Sequence, residues 1–551
     1  MKKAVLFCGV SASVLFSAMA AQAQEVPPTE SASAGSTMDI VVTAQRREQR
    51  LQDVPVAVTP VSSDSLAKAN ITSAIDIGKI ASGVIFQPNA TAVTTFIRGM
   101  GNNQTTIGNE ASNALYIDGV YQSRISPTML KLNNIERIEV LKGPQGTLFG
   151  RNATGGLINI VTSDPAPGDP VRMNGMIGYG NYNTVEAGFY GSASLSEKLA
   201  ASISGIFTNQ GDGWGTNHFT GQDTFQTDEL AIRGKLVFEA SDRTRFILSG
   251  DYNKADVTSI GAPGRFVGKK PTQTGLFDGS GVVPDLPSRY DTNVNVHDRE
   301  DTKGYGGHLR VEHELDALTI VNTVAYHKEI NWFRADLDQT PENRFQFLGD
   351  GAYSRQISEE LQFLSRQGSP IDWTVGLFYL DQKFGYPKST PALLTGDAFG
   401  GGGIMVRDGG RNTSYALYGQ TSFDIAPKLR GTIGLRYSYD ETSAFGEADV
   451  FVPGGAIVVD APRGTARATY SKLTWRAALD YKPTDELLIY ASASRGTKAG
   501  GFALTTFDPT PIRPETLDAY EVGFKAELFD RRARLSGALF YYDFKDPQVQ
   551  V

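Results

Sequence analysis

Lys142 precedes, and Arg151 sits within, a glycine-rich run, Gly143 to Thr162, reading GPQGTLFGRNATGGLINIVT. Glycines beside two cations are the ingredients of a phosphate cradle, in which backbone N–H groups and a lysine surround an anion. The spacing refuses that chemistry. A Walker loop needs G-x-x-x-x-G-K-[ST], whereas Gly146 to Arg151 is GTLFGR, with three residues between its glycines and no Lys-Ser/Thr. A dinucleotide fingerprint opens a helix, whereas LINIVT after Gly155 and Gly156 is strand-like. A second near-match, Gly264 to Lys270 (GRFVGKK), has the same short gap and runs into Pro271. Asn152-Ala153-Thr154 matches a glycosylation acceptor by chance. The glycines therefore read as tight turns and close packing between strands.

Other reactive side chains form no constellation. His218, His297, His308, His313 and His327 are scattered, and His308 and His313, five apart, face opposite sides of a regular strand and cannot share a metal. No G-x-S-x-G elbow carries a nucleophile, and the loop acids (Asp298, Glu300, Asp301, Asp336, Asp338) read as solvated charge. The expectation is no catalytic residue, no metal, no cofactor and no enzyme. Cys8, the one cysteine, lies in an N-terminal stretch built as a secretory leader: Lys2 and Lys3, an apolar Ala4 to Met19, and Ala21-Gln22-Ala23 at the cleavage point. Its removal takes the formal charge from −8 to −10, which argues against a nucleic-acid partner. It also excludes disulfides and thiol chemistry in the mature chain.

Residues 24–38 are a Pro/Ser/Ala-rich flexible lead. Residues 39–165 mix apolar β-branched runs (Val54 to Val61, Ile135 to Leu141, Leu157 to Val161) with a helical segment around Ser65 to Ile80, as in a small α/β domain. From Val171 the texture changes to alternating segments of about ten residues. Leu473, Trp475, Ala477, Leu479 and Tyr481 share one face, and Thr474, Arg476, Ala478 and Asp480 the other. The same holds for Leu429 to Ser438 and Leu199 to Thr208. Short turns (194–198, 240–243, 315–317, 367–370, 426–428, 482–485, 529–531) alternate with long loops (209–228, 254–303, 329–352, 382–412, 440–469, 497–513). A soluble sandwich has no reason to lengthen every second connection. A transmembrane antiparallel β-barrel does, with short periplasmic turns, long outer loops, an apolar lipid face and a polar lumen. Tyr179, Trp373, Tyr437, Tyr481 and Tyr490 near strand ends are expected in the interface girdles. About fifteen strands fit between 172 and 545. Barrels close with an even number, and Asp546 to Val551 reads as the start of an outward loop, so a C-terminally incomplete barrel is expected.

Several segments in this order resemble one family, the TonB-dependent outer-membrane receptors. Asp39-Ile40-Val41-Val42-Thr43-Ala44 (DIVVTA) resembles the TonB box. Phe96 to Gly99 (FIRG), Leu115 to Val120 (LYIDGV) and Ile135 to Asn159 are similar to the plug domain. Gln356 to Ser365 (QISEELQFLS), Gly434 to Tyr437 (GLRY), Arg495 to Phe502 (RGTKAGGF) and Pro514 to Lys525 are similar to barrel signatures. The resemblance implies a signal peptide over 1–23, the box at 39–44, a plug over 45–165 inside a barrel over 171–551, and 22 strands in a complete member.

What it implies for function is energised uptake. A scarce solute, most commonly a ferric siderophore, binds the outer loops and plug apex in the outer membrane of a Gram-negative bacterium, amid lipid and lipopolysaccharide. The inner-membrane TonB complex then pulls on the box. A short β-prone segment after a flexible lead suits strand addition to a partner sheet. DIVVTA also reads as the first strand of the plug, and both hold if solute binding releases it. The apex residues Asn102, Asn103, Gln104 and Arg124 are candidate solute contacts. Lys142 and Arg151 are expected to make polar contacts between plug and barrel. Cobalamin, haem or oligosaccharide uptake by the same mechanism, or a passive porin, are the alternatives. A signalling receptor is disfavoured by the short lead.

Overall fold

The structure, a computed structural model, describes residues 40–548 apart from Asn70, Thr72, 90–91, 103–107, Pro127, Leu132, 259–285, Arg289, 338–340, Gln367, 388–391, 398–399, 454–456, 461–463 and 505–507. The leader, the flexible lead and Asp39 lie outside the described residues.

One antiparallel sheet of seventeen strands runs from Arg172–Gly180 to Ala533–Lys545 in chain order. Two of its strands, Ala392–Thr395 and Ile457–Asp460, are four-residue pieces set in long loops, which leaves fifteen long strands, the number expected from the alternation. The tight turns fall at one end, for example between Ser196 and Leu199, Ser241 and Thr244, and Ala426 and Leu429. The long connections fall at the other. Among the described residues the first and last strands do not pair with each other.

The alternation maps onto the two faces. On the strand Gly464–Thr484, Leu473 and Leu479 are exposed while Thr474, Arg476 and Asp480 are buried. On Leu429–Phe451, Ile433, Leu435 and Tyr437 point out while Thr432, Arg436 and Ser438 are buried. Apolar outside and polar inside is the inverse of a soluble core, and it suits a wall with lipid on one side and a hydrated lumen on the other. Among the described residues no helix is long and apolar enough to cross a membrane, which says nothing of strands. Tyr490 departs from the girdle expectation. It is buried and its hydroxyl donates to Glu521 Oε1 at 2.7 Å, because its strand parity puts it on the lumen face.

The described residues among 40–162 lie inside this wall. Their core is a five-stranded mixed sheet in the order Val58–Ser62, Ile135–Lys142, Gly156–Thr162, Asn113–Ile117, Val120–Gln122, with Asn113–Ile117 and Gly156–Thr162 parallel. Ile138, Ile158, Ile160, Leu115 and Leu130 are fully buried on one of its faces. The expected helix is two pieces, an α-helix Ser63–Lys68 and a 3-10 turn Ala74–Lys79. The break is local: the Ser73 hydroxyl accepts from Ile75 N and starts the second piece. Side chains of the inner domain bond to sheet strands from Thr227–Ser241 round to Glu515–Leu528, so the sheet wraps it.

Candidate functional site

The glycine-rich run is a wedge between plug and wall. A side chain at Gly146 would put its Cβ 2.8 Å from the Arg495 carbonyl, and one at Gly150, where φ is +79°, would sit 2.5 Å from the Arg436 guanidinium. Only glycine allows both the left-handed turn and that approach. Arg151, fully buried, is paired with Glu110 of the plug at 2.8 Å and Asp440 of the wall at 3.2 Å, as expected of a plug–barrel contact. Lys142 reaches the wall only through the longer-range attraction of Glu521, with its hydrogen bond inside the plug. Its ammonium reaches Ser82 Oγ, at 3.4 Å, within the plug, and partial burial with Arg98 nearby pushes its pKa down.

The barrel segments singled out in the sequence contact the plug through their lumen-facing residues. Gln356 and Glu360, four apart on one strand, share a face. Gln356 Oε1 accepts from Ser123 N and Oγ, and Glu360 pairs with Arg46 at 3.0 Å. In RGTKAGGF, Thr497 O accepts from Asn152 N, and Ala499 N donates to Asn152 Oδ1. In the last segment, Glu521 pairs with Arg98 at 2.6 Å and Lys525 Nζ donates to Val54 O.

Ile40 to Ala44 lie folded against the plug. Val41 and Val42 pair antiparallel with Arg50 and Gln49, and Leu51 N donates to Ile40 O. Val42 and Ala44 are buried. Thr43 is held hardest. Its N–H donates to Glu139 Oε1 at 2.8 Å, its hydroxyl reaches the same carboxylate at 3.0 Å, and Asn159 Nδ2 donates to that hydroxyl. Glu139 is fully buried and also accepts from Arg137 Nε at 2.8 Å. The following residues are tied to the wall. Arg46 pairs with Glu360 while its guanidinium lies over the plug rings of Tyr116 and Phe149, 4.7 and 4.2 Å from their centroids, and Arg47 donates to Ser365 Oγ and approaches Asp372.

In the turn after the plug strand Asn113–Ile117, Asp118 sits between Arg233 at 3.1 Å and Lys235 at 3.2 Å, both from the strand Thr227–Ser241, and accepts from Thr162 N and Oγ1. Burial alone would raise the Asp118 pKa. The two cations outweigh it and hold the carboxyl well below the usual carboxylate range.

At the apex, Asn103 and Gln104 lie outside the described residues. Asn102 is buried, its amide donating to Glu110 O and accepting from Ser112 N. Arg124 is paired with Glu329 of the wall at 2.8 Å. The sequence reading overlooked Glu139, Asn159, Arg46 and Asp118. A polar residue inside an apolar strand run, Asn159 in LINIVT or Glu139 in IEVL, was the available signal, since such a group needs a buried partner.

A family model for the TonB-dependent receptor-like β-barrel matches residues 177–551, and one for the TonB-dependent receptor plug domain matches residues 50–157. The catecholate siderophore receptor Fiu of Escherichia coli O157:H7 is 22% identical over 526 residues, covering 84% of this chain and 66% of that protein. The chain thus spans just under two thirds of the length of Fiu. The pesticin receptor of Yersinia pestis is 21% identical, covering 93% of this chain and 71% of that protein. The crystal structure of the ferric yersiniabactin uptake receptor FyuA from Yersinia pestis superposes with a TM-score of 0.75 at 19% identity, covering 90% of this chain and 73% of that one. An inside-out strand wall, a sheet domain packed in its lumen and both family models together lead to one conclusion: the chain belongs to the TonB-dependent receptor family.

Proposed function

We propose that this protein carries a ferric siderophore across the outer membrane of a Gram-negative bacterium, driven by TonB. The observation that carries this is the parked strand Ile40 to Ala44: a short β segment held at its edge by one buried carboxylate, in a lumen otherwise filled by the plug. Such a strand can leave its hairpin and add to a partner sheet. Asp39 to Ala44 are the proposed TonB contacts. The receptors for catecholate siderophores and ferric yersiniabactin among the similar proteins favour a ferric chelate over cobalamin, haem or an oligosaccharide. Asn102, Asn103, Gln104 and Arg124 are the proposed solute contacts at the plug apex. The exposed apolar face is proposed to meet lipid and lipopolysaccharide. A passive porin is disfavoured because the plug occupies the lumen.

Val42→Pro tests the box, because it removes the N–H and disfavours the strand. Energised iron uptake should be lost while chelate binding to cells persists. Unchanged uptake would remove the box assignment. Uptake profiling of a deletion strain on chelated iron, cobalamin and glycans tests the substrate: only the iron uptake should fall.

A further inference from the structure

Four adjacent strands set like charges directly opposite one another. In their pairing registers Lys328 faces Arg355, Arg355 faces Lys383, and Lys383 faces Arg411. The four share the parity of the exposed residues Tyr326, Ile357, Leu377 and Tyr415, so they lie on the outer face of the wall and not in the lumen. Like charges directly opposite destabilise a sheet. Arg411 is matched by Asp381. Lys328, Arg355 and Lys383 have no ion pair among the described residues. Other outward cations of the same wall are matched: Arg467 by Glu441, Arg495 by Asp518 and Arg299 by Asp256.

The height of this ladder fits a lipid head group. Its residues lie ten, ten, twelve and fifteen positions from the short-turn ends of their strands, Leu318, Ser365, Ile371 and Ala426. A strand crosses the hydrocarbon in about 9–11 residues, so the ladder emerges at the outer-leaflet boundary. On its turn side the same face is apolar and aromatic. It carries Tyr326, Ile357, Leu377 and the Tyr379–Tyr415 pair, whose ring centroids are 5.2 Å apart. A phosphorylated lipid uses both the cations and the apolar face below them, whereas a free phosphate uses the cations alone.

The opposite parity of the same strands holds the plug. Glu329, next to Lys328, pairs with Arg124 at 2.8 Å. Gln356, next to Arg355, donates to Tyr121 O at 2.6 Å and accepts from Ser123 N at 3.0 Å. The Phe384 ring, next to Lys383, packs against Gly108. Each unmatched cation is therefore one residue from a plug contact.

We propose that Lys328, Arg355, Lys383 and Arg411 bind the phosphates of an outer-leaflet glycolipid, and that the bound lipid braces the wall behind the plug contacts at Glu329, Gln356 and Phe384. The proposal rests on the outer-membrane reading above and not on which solute is carried.

The test uses the full protein purified in a neutral detergent. Three probes are compared: lipid A (the bisphosphorylated anchor of lipopolysaccharide), phosphatidylglycerol and inorganic phosphate. Lipid A should bind the triple variant Lys328→Gln, Arg355→Gln, Lys383→Gln about a hundredfold more weakly than the parent, the effect of three cations beside an anionic head group. Arg467→Gln, which removes a matched cation, should bind like the parent. So should Lys328→Arg with Lys383→Arg, which keeps the charge. Neither phosphatidylglycerol nor inorganic phosphate should displace lipid A. Without lipid the triple variant should melt no lower than the parent, because it removes repulsion. Amide exchange at Ser123 should slow several-fold with lipid A in the parent and not in the triple variant. Equal lipid A binding by parent and triple variant, or a lower melting temperature of the lipid-free triple variant, overturns the ladder. Displacement by either other probe overturns the glycolipid as its occupant. Lipid A binding without slower exchange at Ser123 overturns the brace. Binding to the pure protein needs neither solute nor TonB, so these failures leave the uptake reading standing.

Discussion

Replacing Glu139 with alanine should release the box segment while leaving the plug folded. The carboxylate receives the Thr43 N–H at 2.8 Å, the Thr43 hydroxyl at 3.0 Å and Arg137 Nε at 2.8 Å. Hydrogen bonds to a charged group contribute about 1.5–3 kcal/mol each, and the two from Thr43 bear on docking of the segment. Water replaces part of that once the segment lifts, so a net cost of about 2–3 kcal/mol on docking is reasonable. That shifts the ratio of parked to released segment by about 30–150-fold. Backbone amide exchange reads it directly, because the Thr43 N–H is bonded to this carboxylate. Protection of Val42 and Thr43 should fall by about that factor, while Ile138 and Ile160 in the plug sheet keep theirs. Glu139→Gln, which retains one acceptor oxygen, should give a smaller loss. Unchanged protection at Thr43 in the alanine variant, with the plug sheet still protected, would refute the claim that one carboxylate holds the segment.

Other outcomes follow from the same geometry. Gly150→Ala should lower the melting temperature more than Gly168→Ala. Both adopt left-handed φ, costing about 1–2 kcal/mol for alanine, but only the first meets a guanidinium, at 2.5 Å, whereas Gly168 has open space around it. Asp118→Asn should cost about 3 kcal/mol of stability at neutral pH in detergent, read by denaturant unfolding, because it leaves two cations facing a neutral group. The folded pKa of Asp118 is depressed, so its contribution is fully present above the unfolded value of about 3.9 and is lost as pH falls through the folded value. The gap between parent and variant should therefore stay flat from neutral pH to about 4 and close only in stronger acid. Leu435→Arg, on the exposed face, should cost about 2–4 kcal/mol of folding into lipid vesicles, far more than Leu435→Ile.

The wall was legible because its two solvents impose a strict period of two. Ile433, Leu435 and Tyr437 needed no partner to be assigned outward. Tyr490 was misread because residue type was weighed above parity. Ile489, exposed, and Leu488, buried, already put Tyr490 on the inner face. The glycine run was legible as packing, since its spacing excluded a phosphate loop, but its partners Arg436 and Arg495 lie about three hundred residues away and no local pattern names them. A shorter but still non-local separation hid Glu139, which faces a threonine 96 residues earlier. The sequence offers Asn102 as a hydrogen-bonding residue without naming its partners in the plug, Glu110 O and Ser112 N, which lie eight and ten residues on.

Accumulation of radioiron by whole cells, supplied as a ferric catecholate, tests the central claim most directly. Saturable uptake should require the proton-motive force, stop with protonophore and be lost in Val42→Pro with chelate binding retained. Flux that is unsaturable and equal with and without energy would contradict an active, TonB-driven receptor.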